Sequence, residues 1–119
     1  MAHILVVEKH QDRRYFMIRA LQHAGHAVAA AGSTDAALVL MSHGHYDMLL
    51  TNQILAADES VELAKRALEQ DPTIHVLLTT GAGARANAVL SELPPAVRVH
   101  PTPFDLGELV SQVESTLAA

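Results

Sequence analysis

Residues 3–9 of this chain, His3-Ile4-Leu5-Val6-Val7-Glu8-Lys9, contain four consecutive apolar side chains that stop at a charged pair. The run does not alternate between apolar and polar residues, which is typical of a strand covered on both faces. It is too short, and followed too soon by charge, to be a signal peptide or a membrane span. We therefore predict a buried parallel strand here and a cytoplasmic protein that does not enter the membrane.

Four similar apolar runs follow, and segments with helical periodicity separate them. The predicted strands cover residues 4–7, 27–31, 48–51, 74–79 and 97–99. The predicted helices run from Gln11 or Asp12 to just before Gly25, from Ser33 to about residue 44, over 58–70, over 84–93, and from Asp105 to Leu117. Five such units predict one α/β domain over residues 1–119. The expected fold is a flavodoxin-like three-layer sandwich with five helices and the parallel strand order 2-1-3-4-5.

The helical periodicity also predicts which side chains face the core. The expected inner residues of the first helix are Phe16, Met17, Ala20, Leu21 and Ala24, and those of the last are Leu106, Leu109, Val110, Val113 and Leu117. Tyr15 and Ile18 lie off the inner stripe of the first helix, between Arg14 and Arg19. These two residues are candidates for an exposed docking patch, although single surface apolar residues are common.

Composition excludes several classes of function. The chain has 8 Lys and Arg against 13 Asp and Glu, a net charge of -5, and 3% aromatic residues. A chain of this charge with few aromatic rings is not expected to bind nucleic acid. It contains no Cys, which excludes disulfides, thiolate catalysis and cysteine-ligated zinc.

Polar residues follow several of the predicted strands. In an open parallel sheet, ligands bind where the carboxyl ends of the strands meet. Glu8 and Lys9 follow the first strand, Asn52 the third, Thr80 the fourth, and Thr102 lies just beyond the fifth. We expect these residues to share one edge of the sheet and to form its candidate site.

Four segments around these positions resemble the bacterial response-regulator receiver domain, the CheY-like phosphoacceptor module. They are Ile4 to Lys9, Tyr46 to Asn52, Leu77 to Gly81, and Thr102-Pro103-Phe104-Asp105-Leu106. The separations, 44 residues from Glu8 to Asn52, 28 from Asn52 to Thr80 and 22 from Thr80 to Thr102, match a receiver without insertions. The resemblance covers nearly the whole chain and implies the flavodoxin-like fold and a role in two-component signalling.

The resemblance also implies a site whose chemistry has been lost. In the family, two acidic residues and an acceptor Asp hold Mg²⁺, and a Lys and a hydroxyl residue bind the transferred phosphoryl group. At these positions the chain keeps Glu8 and Thr80 but has Lys9, Asn52 and Thr102 instead. Three carboxylates are thereby replaced by a set with no net charge, which does not offset the lost hydration of Mg²⁺. An amide is not a nucleophile toward phosphorus, so Asn52 excludes aspartyl phosphorylation at that position.

The resulting hypothesis is a pseudo-receiver that acts by protein–protein interaction, without phosphorylation, Mg²⁺ or any other cofactor. Lys9 is either a stand-in for the metal ion beside Glu8 or a solvated surface residue. Residues 45–51 and 76–81 show a weaker resemblance to single-domain receivers that act as adaptors for regulated proteolysis. The expected partner is a kinase, a proteolysis component or a transcription factor. No enzymatic activity is expected, because no candidate nucleophile has a general base beside it in the sequence.

The family often uses one surface for homodimers, and in this chain it covers residues 85–93, 97–99 and 105–117. The candidate interface residues are Arg85, Val89, Val99 and Leu109 on this surface, and Tyr15 and Ile18 on the first helix.

The eight His residues leave an alternative hypothesis open, a metal- or pH-responsive binding module on the same fold. Six of them are expected near the amino ends of the strands: His3, His23, His26, His43, His45 and His75. Neither His23 with His26 nor His43 with His45 has the i, i+4 spacing of a firm helical metal site. Surface histidines are the competing explanation.

Overall fold

The computed structural model describes residues 2–52, 57–80, 93–101 and 105–118. Five strands form one parallel sheet in the order β2-β1-β3-β4-β5, which confirms the predicted topology. The strands are β1 (His3–Val7), β2 (Ala27–Ala31), β3 (Met48–Asn52), β4 (His75–Thr80) and β5 (Val97–Pro101). The described helices are α1 (Gln11–His23), α2 (Thr34–His43), α3 (Ala57–Gln70) and α4 (Leu106–Ala118). The predicted helix over 84–93 falls, except for Leu93, outside the described residues.

Alternating side chains of the central strands fill two separate cores. Successive residues of a strand point to opposite faces, so β1 sends Ile4 and Val6 to one side and Leu5 and Val7 to the other. One core combines the first pair with Met17 of α1 and with residues of β3, β4 and α4. The other combines the second pair with residues of β3, β4, α2 and α3. The central strands carry apolar side chains toward both faces because both faces are covered.

The capping residues predicted from the sequence are found at three helix ends. Ser33 accepts a hydrogen bond from the Ala36 backbone at 3.1 Å and caps α2, and Asp105 accepts one from the Glu108 backbone at 2.7 Å and caps α4. Gly25, just after α1, has a φ of 98°, which most other residues adopt only at a cost. The start of α2, the start of α4 and the end of α1 therefore lie where the turn residues predicted them.

Two core predictions were wrong. Phe16 is 55% exposed and Leu106 is 39% exposed, although both were expected to face inward. The buried stripe of α1 is centred between Met17 and Leu21, and at about 100° per residue Phe16 lies about 120° from that centre. Leu106 is in the first turn of α4, before the positions at which Leu109 and Val113 reach the core.

The β4 boundary also differs slightly from the prediction. Ile74 donates its backbone N–H to the Asp71 carbonyl at 3.1 Å and belongs to the turn, so β4 begins at His75.

Candidate functional site

The carboxyl ends of three neighbouring strands place the predicted site at one edge of the sheet. Val7 pairs with Thr51 between β1 and β3, and Asn52 pairs with Thr79 between β3 and β4. Glu8, immediately after β1, is therefore adjacent to the end of β3, and the backbone of Thr80 ends β4 beside them. The side chains of Asn52 and Thr80, and all of Thr102, lie outside the described residues.

Glu8 is fully buried at this edge, with 0% of its surface exposed. Its Oε1 accepts hydrogen bonds from Arg13 Nη1 at 3.0 Å and from the His10 backbone at 3.3 Å. Its own backbone donates to the Ala31 carbonyl at 3.0 Å, and its carbonyl accepts from Arg14 Nη1 at 2.9 Å. A buried carboxylate is costly without a cation and hydrogen bonds, and α1 supplies both.

Among the described residues, the cation that compensates Glu8 is Arg13 and not Lys9. Lys9 is exposed and forms no hydrogen bond or ion pair with any residue in the described ranges. This favours the solvated alternative for Lys9. Arg13 is in the first turn of α1, which starts at the His10 cap where His10 Nδ1 accepts from the Arg13 backbone at 3.3 Å. Arg13 was not among the predicted site residues because it lies outside the motif positions. The signal that could have revealed it is an Arg in the helix turn that directly follows the acidic strand end.

One oxygen of the Glu8 carboxylate remains unsatisfied. Oε2 is buried and has no hydrogen-bond partner among the described residues. Oε1 is held by a guanidinium, which carries a full positive charge at any physiological pH. In the described part of the site, the Glu8 carboxylate is therefore already paired with a cationic side chain of the same chain.

The predicted interface residues divide between surface and core. Tyr15 is exposed and Ile18 is half-buried, whereas Val99 is half-buried and packs against Val61 and Leu78. Leu109 has 0% exposure and belongs to the core between the sheet and α4, so its assignment to a partner surface was wrong. The periodicity of the last helix already placed Leu109 on its apolar stripe, and burial against the sheet takes that stripe out of solvent. Arg85 and Val89 lie outside the described residues.

The opposite edge of the sheet carries several histidines beside a groove of about 530 Å³. His26 Nδ1 accepts from the Ala2 backbone at 3.2 Å, and its Nε2 lies 3.6 Å from Glu114 Oε1. His45 lies between two carboxylates, with Nε2 3.8 Å from Asp47 Oδ1 and Nδ1 3.6 Å from Asp71 Oδ2. Within the described ranges, no three side chains of metal-binding type converge to hold an ion. His26 and His45 instead form separate contacts with carboxylates.

Asp71 at this edge offers a test of the local geometry. Hydrogen bonds from the Thr73 hydroxyl at 2.6 Å and the Thr73 backbone at 2.9 Å lower the pKa of Asp71, and His45 lowers it further. Because its folded pKa is depressed, Asp71 contributes stability above its unfolded pKa, and this is lost as pH falls through the folded value.

We expect Thr73→Ala to raise the pKa of Asp71 toward the ordinary carboxyl value, because the substitution removes only the hydroxyl bond. An NMR titration of the side-chain carboxyl carbon measures this. Thr73→Ser keeps the hydroxyl and should leave the pKa low; an equal rise in both variants would contradict the assignment.

No helix in the described ranges is both long and apolar enough to cross a bilayer.

Comparison with known proteins agrees with this fold. Residues 4–114 match the response regulator receiver domain family. The response regulator receiver protein CpdR of Brucella abortus is 33% identical over 119 residues, covering 100% of this chain and 99% of CpdR. A crystal structure of a response regulator receiver protein from Sinorhizobium medicae superposes with a TM-score of 0.81 at 24% identity, covering 98% of this chain and 94% of that one.

Some of the matched proteins are much longer than this chain. NtrX from Brucella abortus, crystallised with ATP, has a TM-score of 0.80 at 23% identity, and the match covers 98% of this chain but only 27% of NtrX. The match therefore concerns about a quarter of that protein. With its fold, its motif register and a family match over nearly all its residues, the chain belongs to the response regulator receiver domain family.

Proposed function

We propose that this chain is a receiver of two-component-type signalling that works as an adaptor or regulatory module through protein–protein contacts, independently of aspartyl phosphorylation and Mg²⁺. The observation that carries the proposal is the pairing of fully buried Glu8 with Arg13 Nη1 at 3.0 Å. The family match and the correspondence with CpdR along 99% of the CpdR chain support a signalling role.

Electrostatics argue against Mg²⁺ at this edge. Mg²⁺ gives up part of its tightly held hydration shell only for several oxygen ligands, usually with carboxylates among them. Glu8 already has a guanidinium on one oxygen, so a divalent ion would have to approach that cation or displace it. Lys9 adds a second cationic group beside Glu8 in the chain. The ion that normally neutralises an incoming phosphoryl group therefore has no adequate set of ligands among the described residues.

The chemistry of position 52 argues against covalent phosphorylation. The amide nitrogen of Asn52 shares its lone pair with the carbonyl, and the oxygen carries no full charge. With neither a nucleophile nor a metal, the conformation of the domain would be set by its internal contacts. The Glu8–Arg13 pair would then hold the pocket in one state without a phosphoryl signal. No catalytic activity forms part of this proposal.

Restoring the missing carboxylates tests the proposal. We expect the wild-type chain to show no saturable NMR shifts on addition of Mg²⁺ and no mass increase after incubation with acetyl phosphate. Lys9→Asp combined with Asn52→Asp should gain both, because the pocket then contains three acidic residues, one of them an acceptor. Asn52→Asp alone is the matched intermediate and should gain less Mg²⁺ affinity.

A third substitution controls for the role of Glu8. Adding Glu8→Gln to the double variant should remove most of the acquired Mg²⁺ affinity, because one anionic ligand is lost. Saturable binding of Mg²⁺ by the wild-type chain, or covalent phosphate on it, would disprove the proposal. A double variant that gains neither property would show that the pocket has been assigned to the wrong residues.

A further inference from the structure

The outer face of α1 carries two adjacent exposed aromatic rings. Tyr15 is 54% and Phe16 is 55% exposed, and their ring centres lie 5.6 Å apart at 74° in an edge-to-face contact. They are half of the four Tyr and Phe residues of the chain. Neighbouring exposed rings are unusual on a surface that remains in water and are typical of contact surfaces.

One acidic and one basic residue flank the rings on the same face. On a helix with 3.6 residues per turn, Asp12 and Arg19 lie on the side opposite the buried stripe of Met17 and Leu21. Arg19 places its guanidinium carbon 5.9 Å from the centre of the Tyr15 ring. Neither Asp12 nor Arg19 has an ion-pair partner among the described residues. The two lie about 10.5 Å apart along the helix axis, too far to pair with each other.

The order of these four residues is self-complementary. An acid, two rings and a base follow one another, and the midpoint of Asp12 and Arg19 falls between Tyr15 and Phe16. A two-fold axis at that midpoint, perpendicular to α1, would run two copies of the helix antiparallel. Asp12 of each copy would then meet Arg19 of the other, with the rings packed between them. Residues that pair reciprocally in this way are what an isologous interface requires.

We propose that this face, defined by Asp12, Tyr15, Phe16 and Arg19, is covered by the same face of a second copy of the chain. The charges favour a second copy over a strongly acidic or basic partner, because the acid and the base on this face balance. The surface is separate from the one that the family resemblance implies, which involves residues 85–93, 97–99 and 105–117. The inference is also independent of the phosphorylation chemistry of the pocket.

The dimer is expected to be weak. One helix face per copy buries less than the roughly 1,200 Å² found at the lower end of stable interfaces. Sedimentation equilibrium at concentrations up to about 1 mM covers the corresponding range of dissociation constants. Wild-type protein should show a reversible monomer–dimer equilibrium in this range.

Charge reversal tests the pairing directly. Asp12→Arg alone and Arg19→Glu alone each place like charges opposite one another, and each should weaken self-association by about 10-fold or more, since two attractive pairs become repulsive. An equimolar mixture of the two single variants should associate, because the basic face of one meets the acidic face of the other. The double variant Asp12→Arg/Arg19→Glu should dimerise with itself but not with the wild-type chain.

Controls separate the interface from folding and from general charge effects. Arg66→Glu reverses an exposed charge on α3 that pairs with Glu62 at 2.9 Å and should leave self-association unchanged. Circular dichroism verifies that each variant is folded, and Arg19→Gln serves if Arg19→Glu is not. A wild-type chain that stays monomeric at about 1 mM would overturn the proposal. So would a dimer insensitive to both charge reversals, or a monomer that instead binds an acidic peptide through this face.

Discussion

Replacing Arg13 by Met is expected to lower the free energy of unfolding by about 2 kcal/mol, because it leaves the buried Glu8 carboxylate without its cation. Removal of one partner from a fully buried pair typically costs about 3–5 kcal/mol. The value here is smaller because the Arg13 side chain is 42% exposed, and solvent weakens the interaction from that side. Urea denaturation of the wild-type and variant chains measures the loss.

A double-mutant cycle attributes that loss to the pair. In the background of Glu8→Gln, which has no carboxylate to compensate, Arg13→Met should cost much less. Arg13→Lys preserves the charge and should retain part of the stability. Equal losses from Arg13→Met in both backgrounds would show that Arg13 contributes through packing of its aliphatic stem and not through its charge.

Replacing Leu109 by Ala is expected to have the larger effect, a loss of about 3 kcal/mol. Leu109 is fully buried between α4 and the sheet, in the core that also contains Met17 and Leu21, so truncation leaves a cavity that its neighbours only partly fill. Thermal or urea unfolding measures the change.

Leu106, in the same helix and 39% exposed, supplies the matched control. The same truncation there should cost less than about 1 kcal/mol. A loss at position 109 that is no greater than the loss at position 106 would contradict the described orientation of α4. It would also reopen a surface role for Leu109.

Much of the architecture could be predicted because its signals are local. The uniform apolar run of Ile4 to Val7 indicates a strand covered on both faces, and the turn residues around Gly25 and Ser33 mark where helices stop and start. Together with the right-handed crossover rule, these signals leave few arrangements of the sheet, and the predicted strand order is the one observed. The identity of Asn52 and Lys9 at the motif positions is likewise plain from the residues alone.

The errors have a common origin in tertiary contacts. Phe16 fits a broad apolar stripe on α1, but the sheet buries only the narrower arc centred on Met17 and Leu21. Leu106 continues the apolar pattern of α4 beyond the point where the helix meets the sheet. Helical periodicity indicates which residues could be buried by a neighbouring surface. Which of them are buried depends on how far that surface extends along the helix.

The amino-acid sequence alone determined that this chain builds a receiver sheet and that an uncharged amide residue, Asn52, stands at the end of β3. Side-chain type and register suffice for both conclusions. The tertiary structure decided which cation neutralises Glu8. The first turn of α1 places the Arg13 guanidinium 3.0 Å from the carboxylate, whereas the neighbouring Lys9 is exposed to solvent. The distance between charges in space, and not their separation along the chain, sets the energy of a buried ion pair.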